Sequence, residues 1–302
     1  MPLTTLKPIE PSVSCRTDFA TWTFRLKADK QIAENFDWLR GWSEFIQPSE
    51  QWTGPFRGRH FTHVMQHPSG ISTEFTPPTT GDRNQGVMAM SIPGACWAAL
   101  SAENRLELIT DVPLLDGFYR CSRWDAQLTT LDPEVTIREF VRDVEAGKIW
   151  PKRFGSGNAY GERNLHGDYL KPPTQYFGAK ESQVMARIYD HGAVHDWPMA
   201  SMRFELQFRK QWANDHWDRL HTRAKTEMAS ESGSPECEEL MVKKALRHHL
   251  DLRDTTQWVG KRKPKNWAQK APTLDWYERL LDTPHEKFKA THRPEATWER
   301  AQ

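Results

Sequence analysis

The stretch FYRCSRWDAQLTTL, residues 118–131, decides how the chain is read. Its apolar and polar residues alternate, so it is a strand that carries Arg123, Asp125 and Gln127 on one face. A helix follows. Asp132 is placed to cap it, Pro133 to take its first position and Gly147 to lie past its end, with Ile137, Phe140, Val141 and Val144 on one side. GSGN (155–158) is a loop, and strand-like runs lie around Tyr160 and at 174–179, 185–190 and 201–209.

The first part of the chain has the same order. RTDFATWTFRL (16–26) is a strand, and Asp29 can cap a helix with Ile32, Phe36 and Leu39 on one face that Gly41 would end. HFTHVMQH and ISTEFT flank the turn Pro68-Ser69-Gly70, and GVMAMSI (86–92) is another strand. ACWAALSAENRLELI is a helix interrupted or restarted at Ser101. The expectation is an α+β domain over 1–230, made of two related antiparallel sheet halves (about 16–117 and 118–229) backed by helices. A small polar linker, Ser230 to Pro235, leads to a C-terminal helical segment, 231–302. Ser234-Pro235-Glu236 starts its first helix, with a stripe of Met241, Val242, Ala245, Leu246 and Leu250. Trp276, Tyr277, Leu280 and Leu281 mark the last helix, and the polar tail beyond is expected to fray.

Composition bounds the function. A chain of 302 residues, 37% hydrophobic and 27% charged, has a globular profile and length enough for a sizeable core. No apolar run approaches the roughly 20 residues of a membrane helix, and MPLTTLKPIEPSV is not a secretory signal, so a cytoplasmic protein without a membrane partner is expected. Cys15, Cys96, Cys121 and Cys237 are scattered, which argues against structural zinc and a disulfide framework. Net charge is only +1, but from Lys243 to Lys270 nine Lys and Arg face two Asp. Within that stretch Lys261, Arg262, Lys263 and Lys265 are candidate contacts to DNA phosphates, with a solvated surface as the plainer reading. Trp258 and Trp267 interleave with the basic loop and could stack on unpaired bases, although packing is the commoner use of Trp.

Three short segments carry candidate chemistry. SRWDAQL and MRFELQF are analogues, each Arg-x-acid-x-Gln in apolar alternation. Asp125 and Glu205 are either structural partners of Arg123 and Arg203 or hard oxygen ligands converging on Mg²⁺ or Mn²⁺. In ARIYDHG, Arg187 and Tyr189 project to one strand face and Asp190 to the other. Tyr189 is either half-buried packing or a nucleophile, whose high pKa an adjacent guanidinium could lower while also steadying a phosphate.

These segments resemble, in order, those of replication initiation factors, the trans-acting nicking-closing Rep proteins of rolling-circle plasmids and filamentous phages. TDFATWTF resembles the family's opening strand, SIPGACWAAL its strand-Gly-helix segment, SRWDAQL its Arg-x-Asp strand, TQYFGAKES its Tyr-x-Gly-x-x-x-Ser segment and MRFELQ its Arg-x-Glu strand. RIYD resembles the Arg-x-Tyr-x-Lys run, and WYERLL an aromatic run that closes many members; together they span about residues 16 to 281. The resemblance implies a metal-dependent strand transferase that nicks and rejoins origin DNA through a 5′-phosphotyrosine at Tyr189. It implies Arg187 and Arg203 as positioning cations, and Asp125, Glu205 and Asp190 as metal ligands. Its partners would be double-stranded origin DNA and its exposed single strand, a second copy of the chain and a host helicase. The chain departs from the pattern at His191, where Lys is usual, and at Thr129, where a second Asp is frequent, which leaves Gln127, Asp190 or His191 to complete a metal shell. The competing readings are a non-catalytic DNA-binding regulator of a mobile element and a metal-dependent nuclease that uses water.

Overall fold

The computed structural model describes residues 13–47, 51–58, 60–82, 84–229 and 236–282. The first run of elements is β1 (Val13–Arg25), α1 (Asp29–Ile46), β2 (Thr53–Phe56), β3 (His63–Gln66), β4 (Ser72–Thr76), β5 (Val87–Pro93), α2 (Gly94–Ala99) and α3 (Ala102–Asp111). The second is β6 (Phe118–Leu131), α4 (Ile137–Glu145), β7 (Ile149–Pro151), β8 (Gly157–Tyr160), β9 (Thr174–Phe177), β10 (Val184–Tyr189), α5 (His191–Val194), β11 (Ser201–Arg209) and α6 (Lys210–Met228). Then come α7 (Cys237–His249), β12 (Leu252–Asp254), α8 (Trp267–Lys270) and α9 (Asp275–Leu281).

Among the described residues, ten strands form one antiparallel sheet in the order β2-β3-β4-β5-β1-β6-β11-β10-β9-β8, and β7 pairs with β12. The spatial order repeats the sequence order. In each run a long strand, β1 or β6, takes the middle of the sheet and the chain then crosses to an outer edge. The following strands step back inward until β5 lies against β1 and β11 against β6. Pairing of β1 with β6, from Val13 opposite Thr130 to Phe24 opposite Phe118, joins the two halves into one surface. The α+β fold of two related antiparallel halves backed by helices is therefore the one observed.

The register sorts side chains onto two faces. Ala20, Trp22 and Phe24 of β1, Trp124, Ala126 and Leu128 of β6, and Phe204, Leu206 and Phe208 of β11 are fully buried. They form one core with buried side chains of α1, α3, α4, α6, α7 and α9. Trp22 meets Trp97 and Trp217 edge-on, with centroids 6.3 and 5.2 Å away, and Trp124 stacks on Phe208 at 5.4 Å. Each such side chain contributes roughly 1.5–3 kcal/mol on burial. The other face carries Thr21 and Thr23 from β1, and Arg123, Asp125, Gln127, Arg203, Glu205, Arg187 and Tyr189 from β6, β11 and β10. The helices of the core lie on the opposite side of the sheet from these residues.

Several local expectations need correction. α4 starts later than Asp132 and Pro133 suggest. Its N-cap is Thr136, which accepts from the Glu139 amide while the Glu139 carboxylate accepts from the Thr136 amide, and this reciprocal pair outcompetes the earlier Asp. Asp132 instead takes a left-handed turn conformation, and its amide donates to Ala200. The N-cap of α1 is Ala28, one residue before Asp29, and Gln31 accepts from the Ala28 amide. Gly41 does not end α1, because Ser43, two residues further on, is buried and accepts from the Trp52 indole at 2.9 Å. The restart at Ser101 is observed, with Ser101 capping α3.

The C-terminal elements pack into the same core. The Glu238 carboxylate of α7 accepts from the Thr17 amide of β1 at 2.8 Å and from Arg105 of α3 at 2.7 Å. Tyr277 of α9 is fully buried beside Phe204. The linker from Ser230 to Pro235 and the tail beyond 282 lie outside the described residues. No described helix is long and apolar enough to cross a membrane.

Candidate active site

Strands β10 and β11 build the centre of the open face. Their register sets Tyr189 opposite Arg203 and Arg187 opposite Glu205. The Tyr189 hydroxyl donates to Glu205 Oε1 at 2.5 Å, and Arg187 Nε donates to Glu205 Oε2. An Arg203 guanidinium nitrogen lies 3.9 Å from Oε1. Glu205 is only 3% exposed, beneath half-exposed Arg187 and Tyr189. A tyrosine hydroxyl hydrogen-bonded to a carboxylate that is itself held by a cation has the geometry that a nucleophile, its base and an orienting group require.

Arg187 does pull the Tyr189 pKa down, as an adjacent guanidinium could, but the net effect of the surroundings is to push the phenol up. Burial is the first cause and the Glu205 charge the second; together they outweigh Arg203 and Arg187. Burial also raises the Glu205 carboxyl above the usual carboxylate range, against the opposing pull of Arg187. A carboxylate with raised proton affinity is the better acceptor for the phenolic proton.

Asp125 has its own partner set. Arg123 forks onto it, Nε to Oδ1 at 3.0 Å and a terminal nitrogen to Oδ2 at 2.5 Å, and Gln207 donates to Oδ2 at 3.2 Å. The two Arg-x-acid strands thus behave differently: Asp125 takes the Arg of its own strand, whereas Glu205 is hydrogen-bonded by Arg187 of β10. Arg203 donates to Thr129 Oγ1 at 2.8 Å, and Thr129 donates to Gln127 at 2.7 Å. The threonine at the departure position is therefore a link between Arg203 and Gln127.

Asp18 belongs to the same patch and was not singled out from the sequence. It sits at a β-bulge in β1, marked by the register shift between Thr17 and Phe19, and the bulge turns both Asp18 and Phe19 off the buried face. Arg203 reaches Asp18 Oδ1 at 3.7 Å, and the Asp18 charge raises the proton affinity of both Asp125 and Glu205. Gly94 accommodates it: a Cβ there would lie 2.4 Å from Asp18 Oδ1 and 2.5 Å from Asp18 O. The usable signal was Arg16-x-Asp18, the spacing also seen at Arg123-x-Asp125 and Arg203-x-Glu205.

The fit to a divalent cation is one of kind. Asp125 and Glu205 occupy diagonal positions on neighbouring strands, since Asp125 faces Gln207 and Glu205 faces Gln127. Their oxygens, with those of Asp18, are hard donors suited to Mg²⁺ or Mn²⁺. In the present arrangement Arg123 and Arg187 hold the two carboxylates, and among the described residues no three His, Cys, Asp or Glu side chains form a metal-holding group. Asp190 is not brought to the patch. Its carboxylate accepts from the Ala193 amide and the Ser201 hydroxyl, capping α5. His191 stacks edge-on to Tyr189 at 6.0 Å and is buried, with its pKa lowered to about 4 by burial first and by Arg203 next. It is a neutral ring where the resembling family carries a Lys charge.

The basic loop is elsewhere. Lys261, Arg262, Lys263 and Lys265 are exposed, and Lys263 lies over the Trp267 ring at 4.1 Å. Trp267 packs on Trp150, which packs on Phe177, whose side chain points to the helical face of the sheet. The loop thus belongs to the helical layer, whereas Tyr189 opens on the other face.

No protein-family model matches the chain, and no curated protein matches it. Among solved structures, the chain is similar to a rolling circle replication initiator protein from Geobacillus stearothermophilus, with a TM-score of 0.63 and 14% sequence identity over 90% of this chain and 96% of that one. At this identity the likeness is one of fold, and it extends over nearly the whole of both chains.

Proposed function

We propose that this protein initiates rolling-circle replication by nicking and rejoining one strand of origin DNA. The observation that carries the reading is the Tyr189–Glu205 hydrogen bond, flanked by Arg187 and Arg203, on the open face of a sheet whose fold is similar to that of a rolling circle replication initiator.

Tyr189 oxygen attacks the scissile phosphorus as its proton passes to Glu205. The P–O3′ bond breaks, the proton returns to the leaving 3′ oxygen, and the 5′ phosphate remains on Tyr189. The new bond conserves phosphodiester energy, so attack by a 3′-hydroxyl reverses the step without a nucleotide cofactor. Partly exposed Arg187 would neutralise the phosphate oxygens, while buried Arg203 would hold Glu205 and Asp18 in place from below. A Mg²⁺ or Mn²⁺ ion held by Asp125, Glu205 and Asp18 in exchange for their guanidinium partners would supply further charge neutralisation at the leaving oxygen. Lys261, Arg262, Lys263 and Lys265 grip duplex origin DNA outside the cleavage site. A homodimer and a recruited host helicase complete the proposal.

Closed Arg123–Asp125 and Arg187–Glu205 pairs favour the rival reading, a DNA-binding regulator that does not cut. One assay separates them. The protein is incubated with a supercoiled plasmid carrying its cognate origin and Mg²⁺, then denatured in SDS. The expected result is a nicked plasmid with an alkali-stable 5′-peptide adduct on Tyr189. Binding without a nick supports the regulator, and a nick without an adduct supports a water-using nuclease.

A further inference from the structure

On the outer part of the open face, Arg187 of β10 is opposite Tyr176 of β9, which is opposite Asn158 of β8. Tyr160 stands one row along β8, and the residue is 62% exposed. The two tyrosine rings meet edge-on, 5.4 Å apart and 85° inclined, so they form an aromatic corner at the sheet edge. Core packing does not account for Tyr160, which faces away from the helical layer. The charge beside the corner suits a phosphodiester chain: the Arg187 side chain is 40% exposed, whereas its partner Glu205 is 3% exposed. Strands stand roughly 4.8 Å apart, so the corner is one to two strand spacings from the attacked phosphate at Tyr189.

We infer that this corner binds the unpaired bases beside the nick site, with Tyr176 and Tyr160 as stacking rings and Arg187 between them and the phosphate. The occupant is single-stranded DNA, because a base must leave its duplex partner and stack to offer its face to a ring lying outside a groove. The inference rests on the strand-nicking reading. Trp258 and Trp267 are the competing stacking surface, but they lie in the helical layer, and Lys263 already covers the Trp267 ring.

Binding is measured by fluorescence anisotropy on short oligodeoxynucleotides in a Tyr189→Phe background, so that no cleavage is needed. Tyr160→Ala and Tyr176→Ala are each expected to weaken single-strand binding by roughly 5- to 100-fold, the range of one base–aromatic stack. Tyr160→Trp should restore it, and duplex affinity should not move. Photo-crosslinking with 5-iododeoxyuridine oligonucleotides should label Tyr160 or Tyr176. Unchanged affinity in both alanine variants, labelling confined to Trp258 or Trp267, or a parent protein that binds no single strand would each overturn the inference. If the alanine effects appear but the wild-type protein forms no adduct with origin DNA, the stacking site stands and the nicking reading falls.

Discussion

On the β1–β5 side of the open face stand Thr21, Thr23, Ala89 and Ser91, with Thr21 and Ser91 hydroxyls 2.9 Å apart. On the β6–β11 side, at topologically matching strands, stand Arg123, Asp125, Gln127, Arg203, Glu205 and Gln207. Between β1 and β5 this face is lined by small neutral side chains, and the charged Arg16 and Asp18 of β1 lie further along the strand, toward the β6–β11 patch. The second half buries two carboxylates, and burial raises both above the usual range, so at neutral pH each costs stability relative to a neutral residue. A frame that folds with threonine and serine on one side has no structural need for this charge on the other. The asymmetry is what makes the second half the place to test for chemistry.

The largest expected break in that comparison is Tyr189→Phe. It removes the attacking oxygen and leaves the ring packed, so single-turnover nicking should fall by roughly 10⁴-fold or more while origin binding is kept. Comparable nicking by this variant would remove Tyr189 from the mechanism. Glu205→Gln comes next. The amide oxygen can still accept the Tyr189 hydrogen bond but takes no proton, so a loss of about 10²–10⁴-fold is expected. The alkaline rise in the pH–rate profile should change with it, and an unchanged profile would reduce Glu205 to a positioning group.

Replacing Lys261, Arg262, Lys263 and Lys265 together by Ala tests the basic loop outside both halves. Each lost phosphate contact should reduce the slope of log affinity against log salt by about 0.9, on any duplex sequence. An unchanged slope would show a merely solvated loop.

The helical layer has a pH signature of its own. His216 of α6 and His249 of α7 meet at 2.9 Å between ring nitrogens in the core, and the His216 pKa is lowered to about 3, by burial first and then by Arg219. Unfolded histidine takes a proton near pH ~6.5. Stability is therefore full above that pH and lost as pH falls towards 3, by about 2 kcal/mol at pH 5 from His216. His249 is shifted in the same direction. The raised acids Asp125 and Glu205 act with the opposite sign, their cost being relieved as pH falls through their range. Tm should drop between pH 7.5 and 5 in the wild type and drop less in His216→Gln; parallel profiles would contradict the assignment. The smallest effect is expected on the neutral half. Thr21→Ala should change stability by about 1 kcal/mol or less and leave nicking at the wild-type rate.

Alternation in FYRCSRWDAQLTTL and MRFELQFR was enough to place Arg123, Asp125, Arg203 and Glu205 on one face, because a strand's two-residue period is geometric. The repeated order of elements was likewise enough to anticipate two related halves. What the local pattern could not carry was pairing between strands. Nothing in the sequence near Glu205 says that its hydrogen-bond partners are Arg187 and Tyr189 rather than Arg203, because that depends on which strand lies beside β11. Asp18 was hidden by a bulge, which breaks the alternation used to read β1. The His216–His249 pair joins residues 33 apart on two helices, so neither helix periodicity nor metal-ligand spacing points to it. Helix ends misled wherever two capping residues competed, as Asp132 and Thr136 do.

The bond from the Thr17 amide to the Glu238 carboxylate spans 221 residues, and β1 is enclosed between β5 and β6. β1, the earliest of the described strands in the chain, therefore cannot acquire all its neighbours until α7 has been made. Loop closure of that length delays folding, and a chain emerging N-terminus first must keep Trp22 and Phe24 from other partners until then. Asp18 and Glu205 likewise come together only after β11 has joined β6. A nascent chain that stops short of residue 201 lacks β11 and with it the Glu205 acceptor, so the Tyr189–Glu205 hydrogen bond arises late in synthesis, with the sheet.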